Sequence, residues 1–138
     1  MNWLIDTNVL SELRRPQPQP AVLDWFEKHP RRTLYLSVLT LGEIRKGIAK
    51  MPPGQRRDAL DHWLEQDLAL YFSGRLLPVD AATADAWGQL SARVQRPLPA
   101  IDGLLAATAI RHGMSLVTRN THDFEDLGLS VINPWPQT

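Results

Sequence analysis

Four acidic residues stand where an apolar run stops or a helix starts. Asp6 follows Trp3-Leu4-Ile5, and Glu43 lies one turn into the helix expected after the apolar run at 34–39. Asp102 opens the apolar stretch 101–110, and Asp123 falls in the loop after Leu116-Val117-Thr118. In open parallel sheets, ligands gather beyond the carboxyl ends of the strands, so Asp6, Glu43 and Asp123 are expected to converge there. Asp102 shares a helical face with Leu105, Ala106 and Ala109, which places its carboxylate at the edge of the core, where an unpaired charge is costly. Four carboxylates that meet either rise in pKa or take a cation. With no cysteine in the chain, all-oxygen ligation suits Mg²⁺ or Mn²⁺ and disfavours zinc. Such an ion can activate water and stabilise charge on a phosphoryl oxygen, which points to phosphodiester hydrolysis.

Each acid also has an ordinary alternative. Asp6 or Asn8 can cap the first helix, and Thr40-Leu41-Gly42-Glu43 has capping-box spacing. Asp102 can cap the helix after the proline-rich break at 97–99, while Asp123 with Asp126 can cap the turn through Phe124 and Leu127.

The elements that would position these groups alternate between strand and helix. Apolar runs at 3–5, 34–39, 76–79, 116–118 and 129–132 read as strands, the second giving way to a helix at Thr40. Val9, Leu10 and Leu13 mark a first helix, and Pro16, Pro18 and Pro20 force an extended connection to a short helix at 21–29. Leu60, Trp63, Leu64, Leu68 and Tyr71 recur at helical spacing up to Ser73-Gly74, and Ala82, Trp87, Leu90 and Val94 mark another helix. The stretch 101–110 is apolar almost all round, the signature of a core helix, and Gly113 is placed to end it. The order implies an α/β domain over 1–138, a short central parallel sheet with helices on both faces.

The 138 residues, 43% hydrophobic and 22% charged, make one globular core the default and exclude disorder as the basis of function. No apolar run is long enough to cross a membrane, and Met1 to Asp6 is neither basic nor long enough for a signal peptide, so a cytoplasmic protein is expected. Net charge is zero but uneven: eight basic residues and one acid lie between Lys28 and Arg57, against ten acids and five bases from Asp58 onward. A polyanion must therefore dock locally, and Arg45, Lys46 and Lys50, on the Glu43 helix, are candidate phosphate contacts. The alternative is a solvated helix face or one that meets an acidic partner.

Four segments in this order resemble a PIN-domain ribonuclease of the VapC toxin type across essentially the whole chain: Ile5-Asp6-Thr7-Asn8-Val9, Leu41-Gly42-Glu43-Ile44 with Gly47, Ile101 through Ala109, and Val117-Thr118-Arg119-Asn120 leading to Asp123-Phe124. The resemblance implies a PIN-like fold and a Mg²⁺- or Mn²⁺-dependent endoribonuclease with an acidic site at Asp6, Glu43, Asp102 and Asp123, Asp6 and Asp102 being the principal metal ligands. Thr7, Thr118 and Asn120 match supporting positions. Many relatives carry an aspartate two residues after the threonine of the last segment, where this chain has Asn120, so either Asn120 or Asp123 completes the set. A homodimer, a cognate antitoxin whose tail covers the site, and a structured RNA substrate, often transfer RNA, are also implied.

Other readings fit less well. A phosphate-accepting signalling domain wants a lysine after a late strand, and all three lysines precede mid-chain; a dehalogenase-like phosphatase wants an aspartate where Asn8 stands. A catalytically silent PIN-fold module that binds RNA or antitoxin remains the alternative. His122, alone in a polar loop, reads as a surface residue. Trp25, Trp63 and Trp87 read as core or dimer surface rather than base-stacking platforms, Trp3 as core, and Trp135 as pinning the C-terminus or meeting a partner.

Overall fold

The computed structural model describes residues 1–137. Its five strands, β1 (Trp3–Ile5), β2 (Leu34–Ser37), β3 (Leu76–Leu77), β4 (Ser115–Val117) and β5 (Val131–Ile132), form one parallel sheet in the order β3-β2-β1-β4-β5. Trp3 pairs with Leu34 on one side and Ser115 on the other, which puts β1 at the centre. Side chains alternate across the sheet, and both faces are covered, as parallel sheets require. Ile5 and Val117 are buried with Val9, Leu10, Val22, Ile44, Ile48 and Leu64, whereas Leu4 and Leu116 are buried with Leu90, Leu105, Ala106 and Ala109.

The first face carries α1 (Thr7–Leu13), α2 (Pro20–Lys28) and α3 (Val38–Ala49), together with a helical run made of α4 (Gln55–His62), a π-helical segment (Trp63–Leu68) and α5 (Ala69–Tyr71). The second face carries α6 (Ala81–Arg93) and α7 (Ala100–His112). Pro20 opens α2, where its missing N–H costs nothing. Gly113, at φ 64°, ends α7 in a left-handed conformation as expected.

The second strand is shorter than its sequence suggests. Val38 and Leu39 have strand-forming side chains, but Ser37 Oγ accepts from the Leu39 N–H at 3.0 Å and starts α3 at Val38 rather than Thr40. Thr40 is then buried inside the helix, its hydroxyl without a partner, so no capping box forms there. The third and fifth strands shrink to two residues each, and Thr118 lies just past the end of β4.

α6 and α7 pack closely because Gly103 has no side chain. A Cβ there would lie 2.9 Å from Cδ1 and Nε1 of Trp87 and 3.1 Å from Leu98 Cδ2. The glycine beside Asp102 thus seats the helix that carries that acid.

Candidate active site

The chain leaves β1 for β2 on one side and returns later to β4 on the other. That reversal opens a crevice beyond the carboxyl ends of the central strands. Asp6 sits at its floor: its N–H donates to Val117 O at 2.9 Å, extending the ladder one residue past β1. Asp6 Oδ1 accepts from the Thr7 N–H at 2.7 Å, so the residue does cap α1. Oδ2 meanwhile accepts from Thr118 Oγ1 at 2.8 Å. Capping and site placement coexist in one carboxylate. Burial raises its pKa above the ordinary aspartate range against the opposing hydrogen bonds from Thr118 and Thr7, and the charges of Glu43 and Asp102 push the same way.

Glu43 reaches this point from α3. Its Oε1 accepts from Thr7 Oγ1 at 2.9 Å rather than turning back to Thr40, which overturns the capping-box alternative. Asp102 lies in the first turn of α7, whose N-cap is Pro99, and it makes no capping hydrogen bond. Burial is the leading cause of its raised pKa, followed by the charges of Asp123 and Glu43, with Arg96 opposing. Asp6, Thr7, Asn8, Glu43, Asp102 and Asn120 line one cleft of about 500 Å³.

Among the described residues, none of Asp6, Glu43 and Asp102 forms an ion pair. Nor do any three acidic or histidine side chains close around a single point. Oxygen-only donors without ion-pair partners suit, by their chemistry, a hard divalent cation that keeps part of its water shell.

Asp123 stands apart from this cleft. It is exposed and does not line it, although its charge reaches Asp102. Arg96 donates to the Asp123 backbone carbonyl at 2.7 Å and pairs with Asp126 at 2.8 Å, so Asp126 serves an ion pair rather than a cap. Asn120 occupies the cleft wall instead, its N–H donating to Thr118 Oγ1 at 3.1 Å.

Asn8 carries more of the site than its sequence suggested. Its amide donates to Thr118 Oγ1 at 3.1 Å, and its Oδ1 accepts from the Arg119 N–H at 3.1 Å, tying α1 to the end of β4. The Asp-Thr-Asn spacing held the signal, since residues 6 and 8 both precede or begin a helix that must face the neighbouring strand. Within the basic block, Arg45 pairs at the surface with Asp61 at 2.7 Å and Glu65 at 2.9 Å. Lys46 and Lys50 remain exposed and line a shallow groove with Glu43 and Ile101. His122 is a surface side chain near Glu125.

A larger groove of about 710 Å³ adjoins the cleft through Thr7, Ser11, Arg15 and Glu43. Ile44, Ile48, Met51, Leu60 and Trp63 supply apolar walls, and Arg14 rests 5.2 Å from the Trp63 ring centre.

The sequence pattern of the family described as PIN domain matches residues 3–128. A VapC ribonuclease of Sinorhizobium fredii is 41% identical over 135 residues, covering 96% of each chain. Toxin FitB of Neisseria gonorrhoeae is 37% identical over 135 residues, covering 96% of this chain and 97% of FitB. The crystal structure of FitAcB from Neisseria gonorrhoeae superimposes with a TM-score of 0.90 at 36% identity, over 98% of this chain and 99% of that one.

Proposed function

This chain belongs to the PIN domain family, and from that premise we propose that it is a metal-dependent endoribonuclease, the toxin of a toxin-antitoxin pair. The observation that carries the reading is the meeting of Asp6, Glu43 and Asp102 in one cleft, none of them in an ion pair among the described residues. The relatives named as a VapC ribonuclease and a toxin support the same reading.

Asp6 and Asp102 would hold Mg²⁺ or Mn²⁺, with Glu43 and Asn120 lining the same cleft. The ion, when bound, supplies Lewis acidity: a more acidic water and a counter-charge for the phosphoryl oxygens. Hydrolysis joins a water oxygen to phosphorus while one ester P–O bond breaks, leaving a phosphate end and a hydroxyl end. Thr7 fixes Glu43 through one carboxylate oxygen, and the other is the acceptor for the proton released by the attacking water. Thr118 holds Asp6 in orientation. Lys46 and Lys50 guide the RNA backbone toward the cleft, and Asp123 acts from outside it through its charge on Asp102.

The substrate is a structured RNA, with transfer RNA the first class to test. A cognate antitoxin places a segment in the apolar groove beside the cleft, and the toxin works as a homodimer, for which the exposed apolar Val38 and Ile101 offer contact area.

The test is incubation of total RNA and transfer RNA with purified, antitoxin-free protein, with Mg²⁺, Mn²⁺ or chelator, beside Asp102→Asn. Discrete fragments that need the metal and vanish in the variant are expected. A folded protein that cuts nothing under any metal would favour the silent module.

A further inference from the structure

Asp6, Glu12, Glu43 and Asp102 all line the cleft, so even beside a metal ion a phosphate is held better where a protein cation offsets their repulsion. Two arginines line the cleft, Arg15 and Arg119. Arg15 pairs with the buried Glu12 at 3.3 Å, whereas Arg119 makes no ion pair among the described residues. The Arg119 backbone is anchored, its N–H donating to Asn8 Oδ1 at 3.1 Å one residue after Thr118. Its guanidinium carbon lies 5.1 Å from the ring centre of Trp135. Trp135 is itself buried against the first-face core and lines the same cleft, and its N–H donates to Asn133 Oδ1 at 2.9 Å. An arginine resting on an aromatic ring is attracted through the ring face and keeps N–H donors for a phosphate.

We propose that Arg119, steadied by Trp135, is the side chain that grips the RNA phosphate at the acidic cleft, and that the Asn133–Pro136 tail exists to hold that grip in place. Trp135 is a positioning residue; Arg119 touches the substrate. The assignment rests on the ribonuclease reading above and names the missing phosphate contact of that site. It differs from the role of Lys46 and Lys50, which lie on flexible stems outside the cleft.

The experiment uses the full chain and an RNA oligonucleotide carrying whichever site the wild type cuts. Arg119→Ala is expected to lower kcat/KM by about 10- to 100-fold, the scale of a charge-assisted contact. Arg119→Lys should recover part of it. Trp135→Leu should lower kcat/KM by about 3- to 10-fold in the wild-type background and add nothing to Arg119→Ala, while Trp135→Phe, which keeps a ring, should recover part of that loss. In the cleavage-inert Asp102→Asn background, Arg119→Ala should reduce the salt dependence of RNA binding by about one counterion. Rates are taken where circular dichroism shows each variant folded, so a loss in Trp135→Leu is not unfolding. Equal cleavage by Arg119→Ala, or a Trp135 effect that persists undiminished without Arg119, overturns the assignment alone. A wild type that cuts no RNA overturns the ribonuclease reading itself.

Discussion

Thr118 and Asp6, 112 residues apart in the chain, share a buried hydrogen bond of 2.8 Å between Thr118 Oγ1 and Asp6 Oδ2. The hydroxyl spends its one proton on the carboxylate and accepts from Asn8 Nδ2 and the Asn120 N–H at 3.1 Å each. Its bonding capacity is thereby full. One threonine orients the Asp6 carboxylate, the helix that follows β1 and the loop that follows β4.

Thr118→Val keeps the shape and removes this hub, leaving the Asn8 amide and the Asn120 N–H short of a partner. A loss of about 1 to 3 kcal/mol in urea unfolding is expected, with cleavage falling alongside. Thr118→Ser should retain most of both. A Thr118→Val chain as stable as wild type would show that the hub carries no structural weight.

The two aspartates proposed to hold the metal, Asp6 and Asp102, should differ when made neutral. Asp102 accepts no capping hydrogen bond, so Asp102→Asn should cut cleavage by about 100-fold or more and leave stability unchanged or slightly higher. Asp6 accepts from Thr7 N and Thr118 Oγ1 on different oxygens, and an amide offers only one acceptor. Asp6→Asn should therefore lose activity and about 1 kcal/mol of stability as well. Thermal melts of the two variants side by side decide it.

Removal of divalent metal should matter most at neutral pH. In the folded chain Asp6 and Asp102 both titrate above the ordinary aspartate range, chiefly through burial. Between the ordinary value and the raised one, the folded state holds protons the unfolded state has released. The contribution of these groups to stability thus falls as pH rises through that window, and neutral pH carries its whole cost. Millimolar Mg²⁺ is expected to raise Tm by about 2 to 4 °C near pH 7.5 and by much less near pH 4.5. The shift should shrink in Asp102→Asn; an equal rise in wild type and variant would place the ion elsewhere.

Gly103→Ala gains helix propensity of about 1 kcal/mol but drives a methyl into the Trp87 ring, an overpacking that costs about 1 to 3 kcal/mol. A net destabilisation is expected by chemical denaturation. Trp87→Phe should relieve it, since the Trp87 Nε1 is buried without a partner and its loss forfeits no hydrogen bond. A Gly103→Ala chain more stable than wild type would mean the α6 and α7 contact yields easily.

Much of this protein is local in origin, and that part was legible before any fold was known. Short apolar runs, prolines at 16, 18 and 20, and Gly113 set the alternation of strands and helices, because each acts on its own few residues. The same alternation put Asp6, Glu43 and Asp102 at element ends, and a parallel sheet can bring such ends together in only one place. Strand lengths were less legible, since Ser37 starts a helix through a single capping bond that outweighs the strand preference of Val38 and Leu39. What tertiary structure alone decided were the partnerships between distant residues. Glu43 turned to Thr7 instead of Thr40, Arg45 paired with Asp61 and Glu65, and Asn120 rather than Asp123 took the cleft wall. Arg119 came to rest on Trp135 in the same way. A side chain's type states which bonds it can make; which one it makes depends on neighbours that only the packed chain brings within about 3 Å.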